Sequence, residues 1–259
     1  MQQHQSSPAD DGAATDMEGR VALVTGGGSG LGRAVSLRLA RAGAHVLVAD
    51  LSRGGAQATV DAAAERAGTA EVVELDVTDA ARVDAVLGAA FERFGARFDC
   101  LVNNAGTDRG ADVPDVSDEQ WHGVFAVNAH GPMYTSRAFV RGVLALGRRE
   151  TPADILSVVS ISALTVGSGA GAYNSSKAAL LKLTEVLQTE ARERGWPVRV
   201  CALSPAAMAT PMMDQWHLPA EKMMDPATVA ELVHFAMTLP PQVVLQSAVL
   251  TARTEQYPR

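Results

Sequence analysis

VALVTGGGSGLG, residues 21–32, decides how the rest of the chain is read. Five residues, apolar up to a closing Thr25, stop at a glycine cluster. Leu31, Val35, Leu39 and Ala42 then recur at helical spacing until Gly43. A strand that is apolar throughout is buried on both faces, as in a parallel sheet covered by helices. The glycines let the backbone turn tightly and come close to a ligand. The start of the helix offers unpaired N–H groups and the positive end of its dipole to an anion. A flexible strand-to-helix turn would carry the same glycines, so the flanking sequence has to decide between the two readings.

Moving outward, the same unit repeats. Residues 45–50 (HVLVAD) read as a second strand and 54–67 as a helix ending at Gly68. Residues 71–76 follow as a strand, 79–94 as a helix and 98–104 as a strand. A long helical region, 118–147, is interrupted near Gly131 and Pro132. Strands at 154–160 and 198–204 flank a helix at 172–194, and a helix at 226–238 precedes a last strand at 243–250. Strict alternation of this kind implies an α/β architecture: a Rossmann-type, doubly wound, seven-stranded parallel sheet with helices on both faces, in a single domain. Right-handed crossovers place ligands at the carboxyl ends of the strands. The unusual residues cluster there: Gly26, Asp50, Asp76, Asn103 with Asn104, Ser160 and Pro205.

Composition narrows the function. The chain has 259 residues, 47 % hydrophobic, with a net charge of −7. Asp10, Asp11, Asp16 and Glu18 carry four of those negative charges, and no basic stripe remains for phosphate backbones, so nucleic acid is not an expected partner. The apolar runs are too short to span a bilayer. Residues 1–17 lack the basic start and apolar core of a signal peptide and read as a polar, disordered tail before a catalytic domain at 18–259. Cys100 and Cys201 lie in apolar strand-like runs and are expected to be reduced core residues in a cytoplasmic protein. The six His have no ligand-like spacing, so no metal site is expected.

The glycine turn carries the first candidate site. Gly26, Ser29, Gly30, Leu31 and Gly32 would cradle a pyrophosphate. Asp50, with Leu51 beside it, ends the second strand. A carboxylate there accepts hydrogen bonds from the adenosine ribose of NAD and repels the 2′-phosphate of NADP, whereas Arg53 would favour NADP. NAD is the expected cofactor and NADP the less favoured one. A turn or cap role for Asp50 is the plainer alternative.

Further along stand NNAG (103–106), VNAHG (127–131), SVVSIS (157–162), YNSSK (173–177) and SPAAMATP (204–211). With TGGGSGLG (25–32) before them, these motifs occur in the order seen in classical short-chain dehydrogenases/reductases, and the chain resembles that family over nearly all of residues 18–250. The resemblance implies a catalytic tetrad of Asn128, Ser160, Tyr173 and Lys177, with Ser162 the rival for the serine. It also places Asp76 and Val77 beside the adenine. Asn104, Ala105 and Gly106 would form the cleft floor, and Pro205, Ala206, Met208 and Thr210 would lie near the nicotinamide. Tyr173 and Lys177 share one helix face. Free Tyr has a pKa of about 10. A nearby cation lowers such a value by roughly 1–3 pH units, so Lys177 and an oxidised nicotinamide would together make Tyr173 a usable base.

Two departures stand out. Ala206 occupies a position that is usually Gly in the family, and the common V-D-G-G ending is replaced by QSAVLTARTEQYPR, which bears on assembly as a homodimer or homotetramer. Residues 208–224 hold five of the nine Met plus Trp216 and read as a substrate lid over about 206–224, or as an ordinary helix pair. Thr107, Leu164 and Val166 are expected beside it. With no cation clearly in the lid, the expected substrate is a small apolar secondary alcohol or its ketone. An NADPH-dependent carbonyl reductase and a non-catalytic dinucleotide sensor are the competing readings.

Overall fold

The computed structural model describes residues 16–64 and 69–254. Most of the expected tail, the end of the 54–67 helix and Gly68 lie outside the described residues. Met17, assigned to the tail from sequence, is fully buried, and its amide donates to Ala42 O at 3.0 Å.

The described residues form seven strands and seven α-helices, in the order β1 Val21–Thr25, α1 Gly30–Arg41, β2 His45–Asp50, α2 Arg53–Ala64, β3 Thr69–Glu74, α3 Ala80–Phe94, β4 Phe98–Asn103, α4 Asp118–Phe125, α5 Gly131–Ala145, β5 Ala153–Val158, α6 Gly171–Arg194, β6 Val198–Pro205, α7 Pro226–Thr238 and β7 Ser247–Leu250. The strands form one parallel sheet in the order β3-β2-β1-β4-β5-β6-β7. The order reverses between β1 and β4, so a crevice opens at their carboxyl ends.

The period of two along each strand divides the core. Ala22, Val24, Val46, Val48, Val102 and Leu156 face one way with residues of α1, α2 and α7; Leu23, Leu47, Leu101, Ile155 and Val200 face the other with α3, α5 and α6. Cys100 and Cys201 are buried on the first face as free thiols.

Three stretches differ in detail from the sequence reading. β3 ends before Asp76, whose Oδ1 accepts from Thr78 N and Thr78 Oγ1 and turns the chain. β7 is shorter at its start, where the Val243 carbonyl goes to Arg199. The long helix is broken by a π-helical turn over Ala126–His130, just before Gly131 and Pro132. Pro132 has no N–H to give to the Asn128 carbonyl four residues back, which explains the local widening.

Candidate active site

A cavity of about 950 Å³ opens along the carboxyl edge, from Asp50, Leu51, Asp76 and Val77 on one side to Ser160, Tyr173 and the 206–218 segment on the other. Its floor begins at β1. Gly26 has φ +64°, and a Cβ on Gly32 would lie 2.0 Å from Gly26 O, so α1 reaches this close to the turn only with glycine there. Gly32 therefore lies behind the cavity and sets the packing beneath it, a correction to its expected place in the cradle. Gly26, Ser29, Gly30 and Leu31 do line the cavity.

The start of α1 differs from the starts of α3, α4 and α7, which are capped by the side chains of Asp79, Ser117 and Asp225. Ser29 makes no capping bond, and the first turn of α1 has no acidic residue. Its first N–H groups thus have no side-chain cap, an arrangement that suits an anion. Asp50 is fixed by two amides: Gly28 N donates to Oδ2 and Ser52 N to Oδ1, each at 2.8 Å. Its turn role and its place on the cavity wall thus coexist. Arg53 Nη1 lies 3.9 Å from Glu74 Oε2, drawn toward a carboxylate of the chain itself.

NNAG is stitched to β1 through Thr25, a residue that sequence reasoning passed over. Thr25 Oγ1 accepts from Asn104 N and Ala105 N, each at 3.0 Å, and Asn104 Nδ2 donates to Thr25 O at 2.9 Å. Asn104, Ala105 and Gly106 line the cavity. Asn128 does not. It is fully buried at the centre of the π turn. Its Oδ1 accepts from Thr107 N, and its Nδ2 donates to Thr107 O, each at 2.8 Å, and to Ser176 Oγ at 3.0 Å. Ser176, also missed from sequence, donates to Tyr173 O at 2.8 Å. The Asn128–Ser176 link joins the loop after β4 to the first turns of α6.

Ser160 ends the β5 segment and accepts from Ser162 N at 3.1 Å through its hydroxyl. Ser162 also lines the cavity, but the hydroxyl beside the Tyr173 phenol is that of Ser160. Lys177 is buried, and its Nζ donates to Val158 O at 2.8 Å and lies 5.7 Å from the Tyr173 ring centroid. Lys182, on the same helix, is exposed and pairs with Glu185.

Burial dominates the electrostatics at the reacting end of the cavity. Burial pushes the Tyr173 phenol up to about 12; the Ser160 hydroxyl pulls it down and the Asp108 charge raises it. Burial pushes Lys177 down to about 8, against the pull of Asp108. Desolvation is the largest influence on both groups.

Pro205, Ala206, Met208 and Thr210 line the cavity as expected. Ala206 does not adopt positive φ; among the described residues only His217 does so without being glycine. The missing glycine therefore causes no strain. The following segment is not a helix pair. It holds two short 3-10 turns, Pro211–Trp216 and Ala220–Lys222, over a base closed by Ala209 N to Met224 O and Met224 N to Ala207 O, each 2.9 Å. Met212, Met213, Trp216 and Leu218 face the cavity with Thr107 and Val166; Leu164 does not. Among the described residues, no His, Cys, Asp and Glu cluster is arranged to hold a metal, and no helix is long and apolar enough to cross a membrane.

Known proteins agree with this geometry. The family model described as short chain dehydrogenase matches residues 20–220. The chain is 37 % identical over 193 residues, 74 % of its own length and 69 % of the relative's, to a 1-deoxy-11-beta-hydroxypentalenate dehydrogenase of Streptomyces avermitilis. Among solved structures it superposes on a 3-ketoacyl-(acyl-carrier-protein) reductase from Brucella melitensis complexed with NADH, with TM-score 0.82, 28 % identity and 92 % and 98 % of the two chains covered. The alcohol dehydrogenase of the archaeon Thermococcus sibiricus, complexed with 5-hydroxy-NADP, matches with TM-score 0.82, 26 % identity and the same coverages. The glycine turn, the parallel sheet and the cleft across its carboxyl edge are thus those of an oxidoreductase fold, and the chain belongs to the short-chain dehydrogenase/reductase family.

Proposed function

We propose that this protein is an NAD-dependent oxidoreductase that interconverts a secondary alcohol and its ketone. The observation that carries the reading is one cavity that joins an uncapped helix start and the Asp50 carboxylate to the Ser160, Tyr173 and Lys177 side chains. Gly26, Ser29, Gly30 and Leu31 would hold the pyrophosphate. Asp50 would hold the adenosine ribose, and Asp76 and Val77 the adenine side. Asn104 to Gly106 and Pro205 to Thr210 would hold the nicotinamide half.

Bound oxidised dinucleotide supplies the hydride acceptor and a positive charge beside the phenol. Ser160 donates to or accepts from the substrate oxygen and orients the reacting carbon. Tyr173 takes the hydroxyl proton as the alcohol loses its hydride, leaving a ketone; in the reverse direction it returns that proton. Lys177 holds the ribose hydroxyls and adds the charge that favours the phenolate. Asn128 acts at one remove, fixing Thr107 and Ser176 around Tyr173. The Met and Trp side chains of the 206–224 lid keep water from the reacting carbon.

The structural relatives carry both kinds of cofactor, so the preference for NAD rests on Asp50, with Arg53 drawn to Glu74. NADH should bind more tightly than NADPH, and Asp50→Ala should erase most of that difference. A panel of secondary alcohols and ketones, followed by reduced-nicotinamide absorbance, should give turnover that Tyr173→Phe lowers by about 10²–10⁴-fold. Dinucleotide binding with no turnover of any alcohol or ketone would favour a dinucleotide sensor. A preference for NADPH that survives Asp50→Ala would favour the carbonyl reductase.

A further inference from the structure

One carboxylate in the cavity has no part in the chemistry described above. Asp108 sits two residues past Gly106, on the loop after β4, and lines the cavity. Its Oδ2 accepts from Trp216 Nε1 at 3.0 Å. Its Oδ1 is buried and no side chain among the described residues donates to it. Loop and lid close on each other around it: Gln215 Nε2 donates to Asp108 O at 3.2 Å, Gly110 N donates to Gln215 Oε1 at 3.5 Å, and a Cβ on Gly110 would meet the Trp216 ring at 2.9 Å. A carboxylate oxygen buried in this way calls for a donor, because leaving a buried acceptor unpaired is costly.

Asp108 also reaches the reacting end of the cavity. Its charge raises both Tyr173 and Lys177. Burial raises the Asp108 carboxyl itself, against the Trp216 donor, the Arg109 amide and Lys177. Of the lid residues on the cavity wall, Met208, Met212, Met213 and Leu218 carry no side-chain donor, and the Trp216 indole is already committed to Oδ2.

We infer that Asp108 is a specificity-determining residue: Oδ1 accepts a hydrogen bond from an O–H or N–H donor of the substrate, so the preferred substrate carries a second hydroxyl or amine near the reacting carbon. This refines the expectation of a wholly apolar alcohol, and it rests on the dehydrogenase reading of the cavity.

The test uses the full-length chain loaded with NAD and a matched pair of probes, cyclohexanol and cyclohexane-1,2-diol. Wild type should favour the diol by about 10–100-fold in kcat/KM, the scale of one hydrogen bond to a charged group. Asp108→Ala should bring the ratio close to one while leaving NADH affinity unchanged. Trp216→Phe removes the lid donor and keeps the carboxylate, so it should retain the diol preference. A wild-type ratio near one overturns the inference. So does a ratio unchanged in Asp108→Ala, or one lost equally in Trp216→Phe, which would make Asp108 a lid latch only. If wild type turns over neither probe, the failure belongs to the proposed reaction. Binding then decides: tighter binding of the diol to the NAD-loaded chain, lost in Asp108→Ala, supports the inference, and equal binding of the two probes overturns it.

Discussion

At the amino ends of the strands, buried charges close on one another. Arg20, just before β1, pairs with Asp99 of β4 at 3.0 Å and Asp154 of β5 at 2.7 Å. Asp154 also pairs with Arg199 of β6 at 2.8 Å, and Arg149 lies 3.6 Å from Asp99. Spare guanidinium N–H groups are taken up by the carbonyls of Met237, Leu239, Pro240 and Val243. At the carboxyl ends the charges stay open. Among the described residues neither Lys177 nor Asp108 closes an ion pair, and Lys177 has only the Val158 carbonyl. The same sheet thus carries one rim completed by the chain itself and another left for a ligand to complete. Stability belongs to the first, and chemistry to the second.

The sharpest way to break this contrast is Asp154→Ala. It leaves Arg199 and part of Arg20 buried without their carboxylate, and should lower stability by about 3–5 kcal/mol in urea unfolding. Turnover per folded molecule should stay within about twofold, because the site lies at the far end of the strands. A large loss of kcat at unchanged stability would merge the two rims. Burial raises the Asp99 carboxyl even with Arg20 and Arg149 beside it, so this cluster is held together by pairing and has little margin once a partner is lost.

Lys177→Met should do the reverse. The lysine stands at about 8 in the folded chain against an ordinary 10.5. Between those values the unfolded chain binds more protons, so wild-type stability rises with pH across the window relative to the variant. At neutral pH the buried charge costs roughly 3 kcal/mol at most, and the variant should be the more stable protein there, less what the Val158 bond contributes. Denaturant unfolding of both proteins at about pH 7 and about pH 10 reads the trend. An advantage for the variant that grows with pH would show that Lys177 is paired in the folded state.

The smallest expected effect concerns the residue that follows β6 on the open rim. Ala206 has ordinary backbone angles, so Ala206→Gly should lower stability by about 0.5–1 kcal/mol through unfolded-state entropy. A gain in stability would mean that the alanine is strained after all.

Sequence reading reached the sheet, its crossovers and most of the cavity wall, because these depend on local signals: apolar period, glycine placement and motif order. It did not reach what depends on side chains meeting across the fold. Thr25 looks like the end of a strand until two amides from β4 arrive at its hydroxyl. Asp108 follows NNAGT without a motif of its own, and its one local signal is a lone carboxylate beside the cleft. The ion cluster at the amino rim was equally hidden, since Arg20, Asp99, Asp154 and Arg199 each look like solvated strand ends. Asp76 and the short β7 show a related limit, as side-chain claims on backbone groups shorten strands in ways that hydropathy does not record. The helix break came out nearly right because proline carries its own signal.

The direct test of the open rim is the ionisation of the Tyr173 phenol. Phenolate absorbance of wild type minus Tyr173→Phe, titrated without cofactor, should place the group at about 12. With saturating oxidised nicotinamide dinucleotide, added positive charge and an ordered Lys177 should lower it by at least about 2 pH units. A phenol that stays at about 12 with cofactor bound would contradict the account.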